Sequence, residues 1–82
     1  MFSVIWSSSA QGDFTVIAFS NFDRSIDIEQ AGDEIDDKLQ SNPTANGQHV
    51  SEGLWRIETG PLAALYAFDG NKVTVDAVRW IG

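Results

Sequence analysis

Residues 54–80, LWRIETGPLAALYAFDGNKVTVDAVRW, contain the pattern that decides the fold. From Leu54 to Thr59 the apolar Trp55 and Ile57 alternate with Arg56 and Glu58, the period of two expected of a strand with one buried face. Gly60-Pro61 makes a turn, and Leu62 to Phe68 is a nearly continuous apolar run. Asp69-Gly70-Asn71 has the residues that suit a tight hairpin, and Lys72 to Trp80 supplies the returning strand. The apolar phase of that strand begins on Val73 and Val75 and ends on Val78 and Trp80. A β-bulge near Asp76-Ala77, or burial of both faces, is therefore expected.

Working back from this strand half, residues 41–51 contain Pro43, Asn46 and Gly47 and read as the main loop. Before it, Ile28, Ala31, Ile35 and Leu39 fall on one face of a helix that Asn42-Pro43 stops, with Asp23-Arg24-Ser25 offering a cap at its start. An earlier helix follows Ser7, Ser8 and Ser9, any of which can supply a capping hydroxyl. It carries Ala10, Phe14, Ile17 and Ala18 at helical spacing, and Phe19 and Phe22 are expected to pack near its end. Phe2, Val4 and Trp6 alternate as a first strand over residues 2–6. The chain thus reads as an α+β fold of order β-α-α-β-β-β, two helices on one face of a small, mostly antiparallel sheet, in one domain over residues 1–82.

Length and composition agree with one modest core: 82 residues, 43% hydrophobic, three Trp and five Phe. The absence of cysteine removes disulfides, thiolate metal sites and thiol nucleophiles together. Twelve acidic residues against five basic ones give a net charge of −7, which opposes direct nucleic-acid binding. The first residues lack the basic flank and length of a signal peptide, and no apolar run has membrane-spanning length, so a cytoplasmic protein without membrane contact is expected.

Several side chains are candidates for chemistry. Arg56 and Glu58 share the strand face opposite Trp55 and Ile57, where a cation and a carboxylate could meet a phosphodiester; the plainer and preferred reading is a surface ion pair. His49, the only histidine, could shuttle a proton, although a lone loop histidine specifies little. Tyr66 could offer an active-site phenol, and its apolar neighbours favour a core role. Arg79 and Trp80 could grip a phosphate or stack on a base, with packing the preferred role for Trp80. Glu29, Asp33 and Asp37, at i,i+4 spacing, could gather a hard cation, but a solvated helix face is the ordinary explanation. Ser7, Ser8 and Ser9 lack the flanking glycines of a nucleophile elbow. No phosphate loop, zinc motif or dinucleotide fingerprint is present, and no cofactor or metal is expected.

The stretch Glu52-Gly53-Leu54-Trp55-Arg56-Ile57-Glu58-Thr59-Gly60-Pro61-Leu62-Ala63-Ala64-Leu65-Tyr66, followed by Val73-Thr74-Val75-Asp76-Ala77-Val78, resembles the RelE/ParE toxin superfamily of type II toxin–antitoxin modules. The upstream pattern agrees: a Trp-Ser end to strand one, an Ala- and Phe-containing first helix, then Ile35, Leu39 and Asn42-Pro43. The resemblance implies a toxin neutralised by a cognate antitoxin protein, acting on the ribosome as a messenger-RNA endoribonuclease or on DNA gyrase. It places Arg56 at the family's arginine before the glycine turn, Tyr66 at the tyrosine ending the next strand, and Arg79 near a C-terminal basic position. Ala63 stands where the family commonly has an arginine, and most surrounding cations are missing. Those cations would bind RNA and stabilise the charge that cleavage builds. The reading is therefore a toxin-fold protein working through protein contacts and lacking nuclease activity, with a weak endoribonuclease using Arg56, Glu58, Arg79 and His49 as one alternative. The other is a non-catalytic interaction domain, including a homodimer.

Overall fold

A computed structural model describes residues 1–82. Strand β1 (Ser3–Trp6) leads into helix α1 (Ser8–Ser20), a single 3-10 turn (Phe22–Arg24) and helix α2 (Ser25–Ser41). Four strands follow: β2 (Gln48–Ser51), β3 (Leu54–Thr59), β4 (Leu62–Asp69) and β5 (Lys72–Trp80). They form one sheet of order β1-β5-β4-β3-β2, in which β1 runs parallel to β5 and every other pair is antiparallel. No helix is long and apolar enough to cross a membrane.

The expected α+β order is present, with one strand more than the alternation indicates. β2 lies inside the segment read as loop, and all four of its residues are exposed. A short edge strand with no buried face has no period-two signal to read. Its pairing is also irregular, shifting register between His49 and Ser51.

Packing explains the remaining elements. The Ser7 hydroxyl accepts a hydrogen bond from the Ala10 N–H at 3.0 Å and so caps α1. Helix α2 begins without any side-chain cap, contrary to the expected role of Asp23-Arg24-Ser25. Its register comes instead from burial of Ile28, Ala31, Ile35 and Leu39 against the sheet. Each large aliphatic side chain so buried contributes about 1.5–3 kcal/mol. Phe14 of α1 meets α2 at Gly32, where an added Cβ would stand 3.2 Å from the ring. Phe19 and Phe22, expected to pack at the end of α1, are 80% and 78% exposed instead. Phe19 stands two residues, about 200°, beyond the buried Ile17 on α1 and so faces away from the sheet.

In the sheet, Gly60 and Gly70 each take positive φ at the first position of a two-residue turn. The expected bulge is present: Leu65 pairs with Ala77 and Tyr66 with Val75, leaving Asp76 as the extra residue. Val73, Val75 and Val78 are therefore all buried under the helices. β1 covers β5 only from Lys72 to Val75. Beyond that point α1 protects the edge, with the Asp13 carboxylate accepting the Val78 N–H at 3.0 Å.

Tyr66 is fully buried in the core, and its hydroxyl donates to the Pro43 carbonyl. Beside it, a Cβ built on Gly47 would coincide with that hydroxyl. The loop after α2 is thus pinned to mid-sheet, and Asn42 steadies it by accepting from the Thr44 and Ala45 N–H groups. Two outcomes are expected in denaturant titrations. Gly47→Ala destabilises by about 1–3 kcal/mol, because the overpacked methyl must displace the tyrosine or the loop. Tyr66→Phe costs about 1–2 kcal/mol by leaving the Pro43 carbonyl unpaired. A third concerns pH. Burial pushes the Tyr66 phenol above its ordinary value of 10.0. Below about pH 10 both folded and unfolded chains keep the proton and stability is unaffected by this group; above it the unfolded chain alone releases the proton. Stability should fall as pH rises beyond 10, and Tyr66→Phe should lack that part of the fall.

Candidate functional site

The helices cover one face of the sheet, so the chemistry available to a large partner lies on the other. Residues opposite one another on neighbouring strands point to the same side, which fixes the composition of the open face. Glu58, Ala63 and Arg79 form one row across β3, β4 and β5, and Arg56, Leu65 and Ala77 form the next. The backbones of Glu58 and Arg79 are two strand spacings apart, roughly 10 Å. Small residues occupy the space between them, and Ala63 is buried to 3% exposure beneath its longer neighbours.

The charges on this face are few. Arg56 makes an ion pair and hydrogen bond with Glu58, the only partner of either. Arg79 is exposed and makes no ion pair. Lys72 sits at the far hairpin end, opposite Asp69. One arginine is therefore neutralised by its neighbour and one is free, a sparse arrangement for a polyanion.

His49 and Tyr66 lie elsewhere. His49 pairs with Trp55, and Trp55 with Tyr66, so both project to the helix side of the sheet. The imidazole rests edge-on against Trp55 with ring centroids 5.1 Å apart. The Tyr66 hydroxyl is enclosed, bonded to Pro43 and held in its protonated form by burial. The five candidate residues consequently divide: Arg56, Glu58 and Arg79 share the open face, while His49 and Tyr66 occupy the opposite one. Trp80 also faces the helix side, where the Arg24 guanidinium lies 5.4 Å from its ring centroid.

Two features escape a reading of motifs. A groove of about 470 Å³ runs between the helices, floored by Trp6, Phe14 and Gly32 and edged by Glu29, Asp33 and Asp36. Trp6 anchors it, its indole N–H donating to Asp36 at 2.6 Å. Asp37 does not join this edge, and no three acids converge closely enough to hold a metal. The second feature is Asp13, whose signal was a carboxylate standing among Ala10, Phe14 and Ile17 on the apolar side of α1.

No protein-family model matches the sequence. No curated protein matches it either. Among solved structures, the chain is similar to one from the chromosomal ParDE TA system of P. aeruginosa, with a TM-score of 0.79 and 18% identity over 100% of this chain and 98% of that one. It is also similar to one from the toxin–antitoxin complex RelBE2 of Mycobacterium tuberculosis, with a TM-score of 0.60 and 16% identity over 96% of each chain. At such identities the likeness lies in the fold, and it extends from end to end in both cases. This chain has the fold of the RelE/ParE-type toxins.

Proposed function

We propose that this protein is the toxin component of a type II toxin–antitoxin module, neutralised in the cytoplasm by a cognate antitoxin protein and acting on its target through protein contacts, without nuclease activity. The end-to-end likeness to a chain of a ParDE system is the observation that carries the reading. The open sheet face supports its second half. RNA cleavage calls for cations to hold the backbone and donors to meet the developing charge. This face offers Arg79 free and Arg56 already bound to Glu58. The proton-transfer candidates His49 and Tyr66 are on the other side of the sheet.

Between the two arginines the face carries Leu65, Ala63 and Ala77, an uncharged strip that suits a protein surface better. Arg79 supplies one directional contact to a carboxylate. The ribosome and DNA gyrase are the two targets that the superfamily resemblance implies, and both present protein surfaces.

Induction of the chain alone in a bacterium should slow growth, and induction together with the neighbouring reading frame should restore it. No growth defect alone, and no complex with the neighbour's product, would sink the proposal. Cleavage of ribosome-bound message by the purified protein, lost in Arg56→Ala, would replace it with the endoribonuclease reading. Binding of single-stranded RNA should be weaker than about 100 μM at physiological salt, the weak end of non-specific electrostatic association.

Arg79→Ala should reduce toxicity while changing stability by less than about 0.5 kcal/mol, as befits an exposed side chain without partners. Arg56→Ala should likewise cost no more than about 1 kcal/mol, the scale of a surface ion pair. Toxicity assays paired with thermal melts separate a lost contact from a lost fold.

A further inference from the structure

The groove between α1 and α2 joins two kinds of surface. Its floor is apolar: the half-buried rings of Trp6 and Phe14 meet edge to face with centroids 5.7 Å apart. Gly32 lets the phenylalanine lie close against α2, since an added Cβ would stand 3.2 Å from its ring. Along one side Glu29, Asp33 and Asp36 recur at spacings of four and three residues, so they form a single stripe of α2. Glu29 and Asp33 are exposed and make no ion pair, while Asp36 uses one oxygen to accept the Trp6 indole N–H.

We propose that this groove is a docking site for a basic segment of a partner protein, with an arginine or lysine laid along the aromatic floor and its charged head among the carboxylates of Glu29, Asp33 and Asp36. A long cationic side chain matches both surfaces, because its methylene stem covers apolar area while its head stays free to bond carboxylates. An acidic or wholly apolar segment would instead strip water from these acids and give them no partner.

The charges around the groove are one-sided. No lysine or arginine lines it, and the remaining lining residue, Gln11, is neutral and donates to the Trp6 carbonyl. Asp13, the one charged residue of α1, is bonded to the Val78 N–H. Of the other charges on α2, Asp27 is paired with Arg24, and Glu34 borders a separate hollow with those two. Asp37 and Lys38 stand outside the lining, Lys38 about 200° around the helix from Asp36. The net charge of −7 draws cationic partners to the chain and repels a second copy of it. A bound metal does not fit, because no three acids converge closely enough to hold one.

The inference is independent of the toxin reading. The probe is an acetylated, amidated, alanine-rich peptide carrying two arginines seven residues apart, the spacing of Glu29 and Asp36, added to the labelled chain at physiological ionic strength. The indole N–H signal of Trp6 in its NMR spectrum should shift and saturate, with those of Trp55 and Trp80 unmoved. Glu29→Gln with Asp33→Asn should weaken binding about tenfold, as the loss of two carboxylate contacts predicts. Glu52→Gln with Asp69→Asn removes the same charge away from the groove and should change it by less than about twofold. Circular dichroism checks that both variants are folded. An unmoved Trp6 signal overturns the proposal, as does equal weakening by the two variants, which would mean diffuse attraction. Spermidine binding as tightly as the peptide would assign the groove to small cations, and self-association lost in the groove variant would assign it to a second copy; either result also overturns it.

Discussion

The single extra residue at Asp76 is the constraint on which the rest of the sheet depends. β5 contacts β1, β4 and α1, so its phase controls which side chains every other layer meets. In an unbroken strand, the residues after Val73 and Val75 facing the helices would be Ala77 and Arg79. An unpaired guanidinium would then enter the apolar layer, at a cost of several kcal/mol, while Val78 and Trp80 went to solvent. The bulge exchanges these pairs. It buries Val78 and turns Arg79 onto the open face beside Ala63. Core completion and the placement of the one unpaired arginine on that face are the same structural event.

A second constraint acts one strand over, on β4. The Tyr66 hydroxyl fills the volume that any side chain at position 47 would occupy, and it bonds a carbonyl 23 residues earlier in the chain. The loop carrying β2 to the sheet edge is thereby held by the core rather than by its own weak edge pairing. This position ties Tyr66 to structure: the phenol is satisfied, enclosed and protonated. Its place in a family-like pattern and its physical work in this chain are separate matters. A tyrosine within a strand has the same letters whether it faces solvent or the helices.

The open face is sparse in free charge. Ala63 places a methyl group between Glu58 and Arg79 on the outer side of the central strand, where it is only 3% exposed. Arg56 is engaged by Glu58, two residues along the same strand.

Sequence alone determined the elements with strong periodicity: the apolar face of α2, the two hairpins around Gly60-Pro61 and Asp69-Gly70-Asn71, and the bulge announced by the phase change in β5. These are local, written in spacings of two or three to four residues and in turn residues that permit positive φ. It also placed Arg56 and Glu58 together, since residues two apart on a strand must share a face. Tertiary structure alone decided which strands are neighbours, and so that Arg79 joins Glu58 in one row while His49 and Tyr66 face away. It likewise decided that β2 is a strand, that Phe19 and Phe22 are left in solvent, and that Asp13 serves as a cap for β5. Each of these depends on contacts between residues distant in the chain, for which local hydrophobic patterns contain no term.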